Sequence, residues 1–247
     1  MINIEGLTKE YGTKKALDNL NLTINDGEIF GLIGHNGAGK STTIKSLVSI
    51  IEPTYGNIFF DGKNLKENRL EIKKKIGYVS DTPDLFLKMP VLYFWRFIAD
   101  VYEIPEAVRE ERLEYLCKIF SLEDSYEKTI EEFSHGMRQK AFIIAALLSD
   151  PDIWILDEPM TGLDPQSAYN LKELMREHTK KGKTVLFSTH VLEVAEQICN
   201  RIGILSKGRL IFVGTMEELK NLHPNQTLEK IYLDMVNSDN RIDQSLV

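Results

Sequence analysis

Two cysteines are all that the 247 residues contain. Cys117 and Cys199 stand far apart, each among apolar residues in helix-like segments. That excludes a disulfide scaffold and reads as two buried free thiols in a reducing compartment. Long apolar runs are missing too. The longest, Ala141 to Leu148, is well short of the roughly 18 residues that a bilayer-crossing helix needs. The start, Met1-Ile2-Asn3-Ile4-Glu5, carries neither the basic region nor the apolar core of a secretory signal. Such a chain is expected to stay in the cytosol unless a partner holds it at a membrane. Nor is there a basic excess, because 30 Lys and Arg against 37 Asp and Glu leave a formal charge of −7. Broad contact with a phosphate backbone needs a basic face, so no nucleic-acid partner is expected. Internal repeats and low-complexity segments are absent as well.

What is present is an ordinary globular composition, 43% hydrophobic and 27% charged. The length suits one large α/β domain with an inserted subdomain. Apolar alternation at Ile2, Ile4 and Leu7 predicts a first strand, and Leu17 to Ile24 a second. Glu28 to Ile33 is a short apolar strand running into glycines, and a helix is expected from Lys40 to before Pro53. Ile58 to Phe60, before Asp61-Gly62, reads as a hairpin arm, and Ile76 to Val79 as another strand. From Leu85 to about Leu148 the periodicity turns helical. Strands and helices then alternate: Ile153 to Leu156, a helix from Ser167, Thr184 to Phe187, and a helix from Val191. That order predicts a parallel sheet flanked by helices. Ile202 to Leu205 and Leu210 to Val213 read as a terminal hairpin, and the last few polar residues as mobile.

Gly34-His35-Asn36-Gly37-Ala38-Gly39-Lys40-Ser41, with Thr42 following, fits the spacing G-x-x-x-x-G-K-[ST]. Glycines let successive backbone N–H groups turn inward around phosphates, and a helix N-terminus adds its positive dipole end. Lys40 can reach β- and γ-phosphate oxygens, and the Ser41 hydroxyl can ligate Mg²⁺. A chance glycine turn is the plain alternative, and the strand before and helix after speak against it. ATP and Mg²⁺ are the ligands this pattern implies.

Ile153-Trp154-Ile155-Leu156-Asp157-Glu158 is an apolar strand ending in two acids. Asp157 is placed to hold Mg²⁺ and Glu158 to orient or deprotonate an attacking water, with surface acids at a strand end as the plain alternative. Thr189-His190 closes the next strand, where a neutral imidazole can sense a γ-phosphate, with a structural histidine as the alternative.

With these pieces in order, the chain resembles the ATP-binding subunits of ABC transporters over nearly its whole length. Phe133-Ser134-His135-Gly136-Met137-Arg138-Gln139 resembles the family signature, usually LSGGQ, which closes over the nucleotide held by a second subunit. Ser134, Gly136 and Met137 are therefore nucleotide-contacting candidates, although Ser-x-Gly before a helix is by itself an ordinary cap. Tyr11 resembles the aromatic that stacks on adenine, with a buried or turn tyrosine as the alternative. Gly162-Leu163-Asp164-Pro165 resembles the loop through which paired subunits sense each other. Asp81 stands where the family usually has a Gln that reaches Mg²⁺, with Asp84 nearby as a second register. A carboxylate still ligates Mg²⁺, but its charge is expected to slow hydrolysis or alter metal preference. His135 and Met137 also depart from the usual signature.

The resemblance implies an α/β P-loop NTPase with a mostly parallel core sheet, an N-terminal antiparallel β subdomain and an inserted helical subdomain. The expected division is 1–84, the first part of the ATPase core; 85–150, the helical subdomain; 151–223, the rest of the core; and 224–247, a short extension. Phe86, Tyr93, Phe94, Trp95 and Phe97 read mainly as subdomain core, and in related transporters this region receives a helix of the membrane subunit. Thr227-Leu228-Glu229-Lys230-Ile231-Tyr232-Leu233 resembles a segment of ABC-2-type export ATPases, and reads equally as a short amphipathic helix. The expected activity is ATP hydrolysis driving export through a separate membrane subunit. A second ATP-binding chain and peripheral attachment to the inner face of the membrane are expected with it. The rival readings are a soluble ABC ATPase and a weakly hydrolysing, ATP-gated dimerisation module.

Overall fold

The computed structural model describes residues 1–82, 84–222, 224 and 226–244. Alternating apolar residues build the first sheet. β1 (Ile2–Tyr11) turns at Gly12, where φ is +59°, and pairs antiparallel with β2 (Lys14–Ile24). β4 (Tyr55–Phe60) pairs with the other edge of β1, and the short β5 (Lys63–Asn64) completes the order β2-β1-β4-β5. Ile2, Ile4, Leu7, Leu20, Ile24 and Ile58 all point inward and are buried.

The second sheet contains β3 (Ile29–Ile33), β6 (Ile76–Val79), β7 (Ile153–Leu156), β8 (Thr184–Thr189), β9 (Arg201–Ser206) and β10 (Arg209–Gly214). Its order is β10-β9-β3-β8-β7-β6, parallel throughout except that β10 runs antiparallel to β9. Every residue of β3, β7 and β8 is buried, as expected for parallel strands covered on both faces. Parallel pairing brings the carboxyl ends of β3, β6, β7 and β8 to one edge, the usual place for a ligand in such sheets.

Helix α1 (Lys40–Leu47) follows β3 and packs Ile44 and Leu47 between the two sheets. It stops well before Pro53, because Ser49 takes φ +58° and the N–H groups of Ile50 and Ile51 fold back onto the Lys45 carbonyl. α2 (Arg69–Lys73) precedes β6. The stretch read as helical holds α3 (Val91–Val101), α4 (Glu106–Phe120), two 3₁₀ turns and α5 (His135–Leu148). Its apolar core is continuous with the sheet, since Phe94, Trp95, Ile143 and Ile144 share one cluster with Trp154, Leu156 and Phe187. α6 (Pro165–Lys180) starts on an Asp164 cap with proline in its first turn, and α7 (Leu192–Ile198) follows β8. Burial raises the Cys117 thiol to about 11 and also raises Cys199, and neither is bonded to another sulfur.

After α8 (Met216–Leu222), the segment Thr227–Leu233 opens a 17-residue helix, α9 (Leu228–Gln244), longer than the short helix expected. The last residues, 245–247, expected to be mobile, lie outside the described residues. No described helix is long and apolar enough to cross a membrane.

Candidate functional site

The loop from Gly34 to Gly39 leaves β3 and enters α1, with Gly37 at φ +84° and Gly39 at φ +113°. Both conformations favour glycine, and a Cβ at Gly34 would stand 2.6 Å from the Leu205 carbonyl oxygen. The loop is therefore seated tightly on β9. Lys40, buried to 5% exposure, donates from Nζ to the carbonyls of Gly34 at 2.7 Å and His35 at 3.4 Å. Its ammonium also lies 3.1 Å from Glu158 Oε1.

Asp157 and Glu158 leave the end of β7 in different directions. Asp157 is fully buried, and its Oδ1 accepts from the Ser188 hydroxyl at 2.5 Å. Burial pushes its pKa up, while Ser188, Ser41 and Lys45 pull it back. Its Oδ2 has no partner of good hydrogen-bond geometry, although Ser41 is close enough to favour the ionised form. Glu158 takes a left-handed φ of +49°, held there by its N–H donating to Ser188 Oγ at 2.9 Å. Strain of this kind in a non-glycine residue persists where the surroundings over-determine it. Glu158 Oε2 meets His190 Nδ1 at 2.9 Å. Lys40, Glu158 and His190 thus form one connected chain.

A cavity of about 470 Å³ opens over this edge, lined by Tyr11, Asn36, Gly37, Gly39, Lys40, Ser41, Thr42, Asp81 and Glu158 among others. Gly34, His35 and Ala38 form the back of the loop rather than the cavity wall. Tyr11 is about half exposed, with the Lys9 ammonium 5.2 Å from its ring centre, so it is not a buried tyrosine. Asp81 lines the cavity and sits 3.6 Å from Lys45, whereas Asp84 bonds Arg138 at 3.3 Å. A larger cavity, about 650 Å³ between the end of α1 and β4, lies away from the loop glycines and the acids.

Lys14, Lys15 and Lys207 also line the nucleotide-sized cavity, and sequence reasoning missed them. Lys14 and Lys15 stand at the start of β2. Lys207 arrives from the β9–β10 turn, pinned where the Gly208 N–H donates to the Ala38 carbonyl at 2.8 Å. Ser188, in Phe187-Ser188-Thr189-His190, carried a signal in its place two residues before the histidine.

The oxygen donors suit Mg²⁺, a hard cation that prefers carboxylate, hydroxyl and phosphate oxygens. Asp157 Oδ2 is a buried acceptor without a good partner, next to Ser41, and Asp81 stands at the same cavity. Among the described residues no group of three or more His, Cys, Asp or Glu is placed to hold a metal alone.

Ser134, Gly136 and Met137 lie elsewhere, at the start of α5, and none lines the cavity. Ser134 caps α5 by accepting the Met137 N–H at 3.3 Å. Gly136 approaches the Gly162 carbonyl so closely that no side chain fits, and a Cβ at Gly162 would stand 2.5 Å from the His135 ring. Lys140 and Ser167 hold the Asp164 carboxyl well below the usual carboxylate range. The signature turn and the Gly162–Asp164 loop are therefore one packed unit.

A phosphate loop at the end of one parallel strand, paired acids on a second and a histidine on a third define a P-loop nucleotide hydrolase. The chain belongs to the ABC transporter family, whose model matches residues 17–161. It is 34% identical to the ABC-type transporter ATP-binding protein EcsA of Bacillus subtilis over 97% of this chain and 98% of that protein. It is 31% identical to the Nod factor export ATP-binding protein I of Cupriavidus metallidurans, covering 95% of this chain and 77% of that one. An uncharacterized ABC transporter ATP-binding protein of Nostoc is 38% identical, and the chain spans 61% of its length. Among solved structures, an ATP-binding subunit of an ABC transporter superposes with a TM-score of 0.89 at 34% identity, over 95% of this chain and 99% of that one. A dimeric ATP-binding cassette with ADP and phosphate bound gives 0.79 at 26%, over 87% and 99%. The chain is an ABC transporter ATP-binding subunit, of a family whose members bind ATP and work as dimers.

Proposed function

We propose that this chain hydrolyses ATP as the motor of an export system, in a dimer docked under a separate membrane subunit. The connected Lys40–Glu158–His190 chain at the mouth of the cavity carries the reading. When ATP enters, Lys40 exchanges two carbonyls and Glu158 for phosphate oxygens, with the loop N–H groups around them. Glu158, released from Lys40 but still bonded to His190, orients and deprotonates the attacking water. Mg²⁺, held by Ser41 and Asp157 with Asp81 beside it, would offset charge on the transferring phosphoryl. Tyr11 stacks on the base. The signature residues Ser134, Gly136 and Met137 stand at the start of α5, away from a cavity they do not line, which suits supply in trans to a second copy or a related chain.

Export rests on the names of relatives that match over most of this chain, including a Nod factor export protein and a probable multidrug one. Docking rests on an apolar rim: Phe86, Tyr93 and Phe97 are 43%, 63% and 44% exposed, while Phe94 and Trp95 fill the core beneath. In this reading residues 85–150 transmit movement, 1–84 and 151–223 form the ATPase core, and 224–247 extend it. The chain then sits peripherally on the cytoplasmic face. Asp81 supports a second reading, a slowly hydrolysing ATP-gated dimer, because it adds a charge at the cavity.

The test is affinity purification of tagged Glu158→Gln protein with Mg-ATP from detergent-solubilised native cells, followed by mass spectrometry. A stoichiometric multi-spanning membrane protein and a second ATP-binding chain are expected. Recovery of soluble partners alone, at good yield, refutes the transporter assignment.

A further inference from the structure

Helix α1 carries two lysines, and each meets an acid at the carboxyl edge of the parallel sheet. Lys40 lies 3.1 Å from Glu158. Lys45, one helical turn beyond Ser41 and on the same face of α1, lies 3.6 Å from Asp81 Oδ1. Asp81 and Asp157 leave the ends of the neighbouring strands β6 and β7, which the Asp157 N–H joins by donating to the Val79 carbonyl at 2.9 Å. Three carboxylates thus meet at one edge, and the lysines of α1 stand against two of them. Asp157 keeps its buried Oδ2 without a good partner.

A lysine in the last turn of a helix suits the carbonyl end of that helix, but this does not explain its approach to an acid on another element. The Lys45 carbonyl accepts the Ile50 and Ile51 N–H groups at 2.8 and 3.0 Å, bonds that no change of side chain removes. Asp81 is also held by its own turn, since Oδ1 accepts from Ser80 Oγ at 3.1 Å and from Thr82 Oγ1 at 3.4 Å. Asp81 lines the nucleotide-sized cavity, whereas Lys45 is not part of its lining. The two side chains are 30% and 31% exposed, so water screens the pair and its worth is small. A divalent cation, with twice the charge of an ammonium, can displace it.

We propose that Lys45 is a positioning residue for the metal–nucleotide complex: it balances the Asp81 carboxylate in the nucleotide-free protein and releases it when Mg²⁺ arrives with ATP. Lys45 thereby offsets the charge that Asp81 adds to the cavity wall. The proposal rests on the reading of this cavity as the Mg-ATP site and adds the residue that holds Asp81 ready there.

Lys45→Met keeps the apolar stem and removes the charge, and Lys45→Gln repeats the comparison with a polar neutral side chain. Affinity for a non-hydrolysable ATP analogue is measured by calorimetric titration, in EDTA and again with Mg²⁺. Without metal, both variants should bind roughly two- to fivefold more weakly, the scale of one exposed ion pair, because Asp81 is left unbalanced beside the phosphates. Mg²⁺ should restore at least wild-type affinity. Lys45→Arg should behave as wild type, and with Asp81→Asn in place Lys45→Met should change nothing. An equal loss with and without Mg²⁺, or a loss that persists beside Asp81→Asn, overturns the proposal, because Lys45 then acts on the phosphates without Asp81. Lys40→Ala, run in parallel, separates the two levels. If it abolishes binding while Lys45→Met matches wild type throughout, the site stands and the role of Lys45 fails. If Lys40→Ala binds normally, the site assignment itself is wrong and the proposal falls with it.

Discussion

Replacing Glu158 by Gln tests the ion pair at the centre of the site before any chemistry occurs. In the nucleotide-free protein the buried Lys40 ammonium has two carbonyl partners and a single carboxylate, Glu158 Oε1 at 3.1 Å. At that separation the Coulomb attraction is about 5 kcal/mol for an effective dielectric near 20. Desolvation of both groups cancels most of it, and the amide still accepts a hydrogen bond, leaving a net loss of about 1–2 kcal/mol. For a domain of this size each kcal/mol moves the thermal midpoint by about 2–4 °C, so Glu158→Gln should melt about 2–8 °C lower without nucleotide. ATP replaces the carboxylate as partner of Lys40 in both proteins. The variant, having no ion pair to break, should bind ATP about 5–30-fold more tightly. Differential scanning fluorimetry and calorimetric titration, both in EDTA to prevent turnover, read the two effects. Equal midpoints and equal affinities would show that the contact contributes nothing and that Lys40 is already free for phosphate.

Other perturbations follow from the same contacts. Gly136→Ala puts a methyl against the Gly162 carbonyl, so ATP turnover should fall at least tenfold while ATP binding to the monomer is kept; unchanged turnover would separate the signature turn from catalysis. Asp81→Gln removes a charge from the cavity wall and should raise Mg-ATP turnover several-fold, whereas a large drop would make the carboxylate an essential metal ligand. Burial lowers the His178 pKa from its ordinary 6.5 to about 4, its ring set edge-on against Trp154. A depressed base stabilises the fold above the unfolded pKa and loses that contribution as pH falls, so stability should decline between about pH 6.5 and 4 by about 3 kcal/mol. His178→Gln should flatten that window in pH-dependent denaturant melts, and an unchanged slope would exonerate this histidine.

Local patterns made much of this protein legible without coordinates. Gly34–Thr42 is contiguous, and each residue's chemistry follows from its type and spacing between a strand and a helix. Asp157 and Glu158 end an apolar run, which is the linear sign of a buried strand delivering carboxylates to an edge. Alternation of period 2 and period 3.6 marked most elements. What only the tertiary structure decided depends on pairing between distant segments. The order β9-β3-β8-β7-β6 brings residues 40, 81, 157 and 190 to one cavity edge, and no local propensity encodes which strands become neighbours. Lys14, Lys15 and Lys207 carry no periodic or motif signal, and only the fold brings them to the cavity. The choice of Asp81 over Asp84 rested on where a turn after β6 aims each side chain, and Arg138 took Asp84. Helix α9 could be read as amphipathic, but not what it covers. That α9 packs against Ile33 follows from contacts across nearly the full length of the chain, which sequence spacing cannot report.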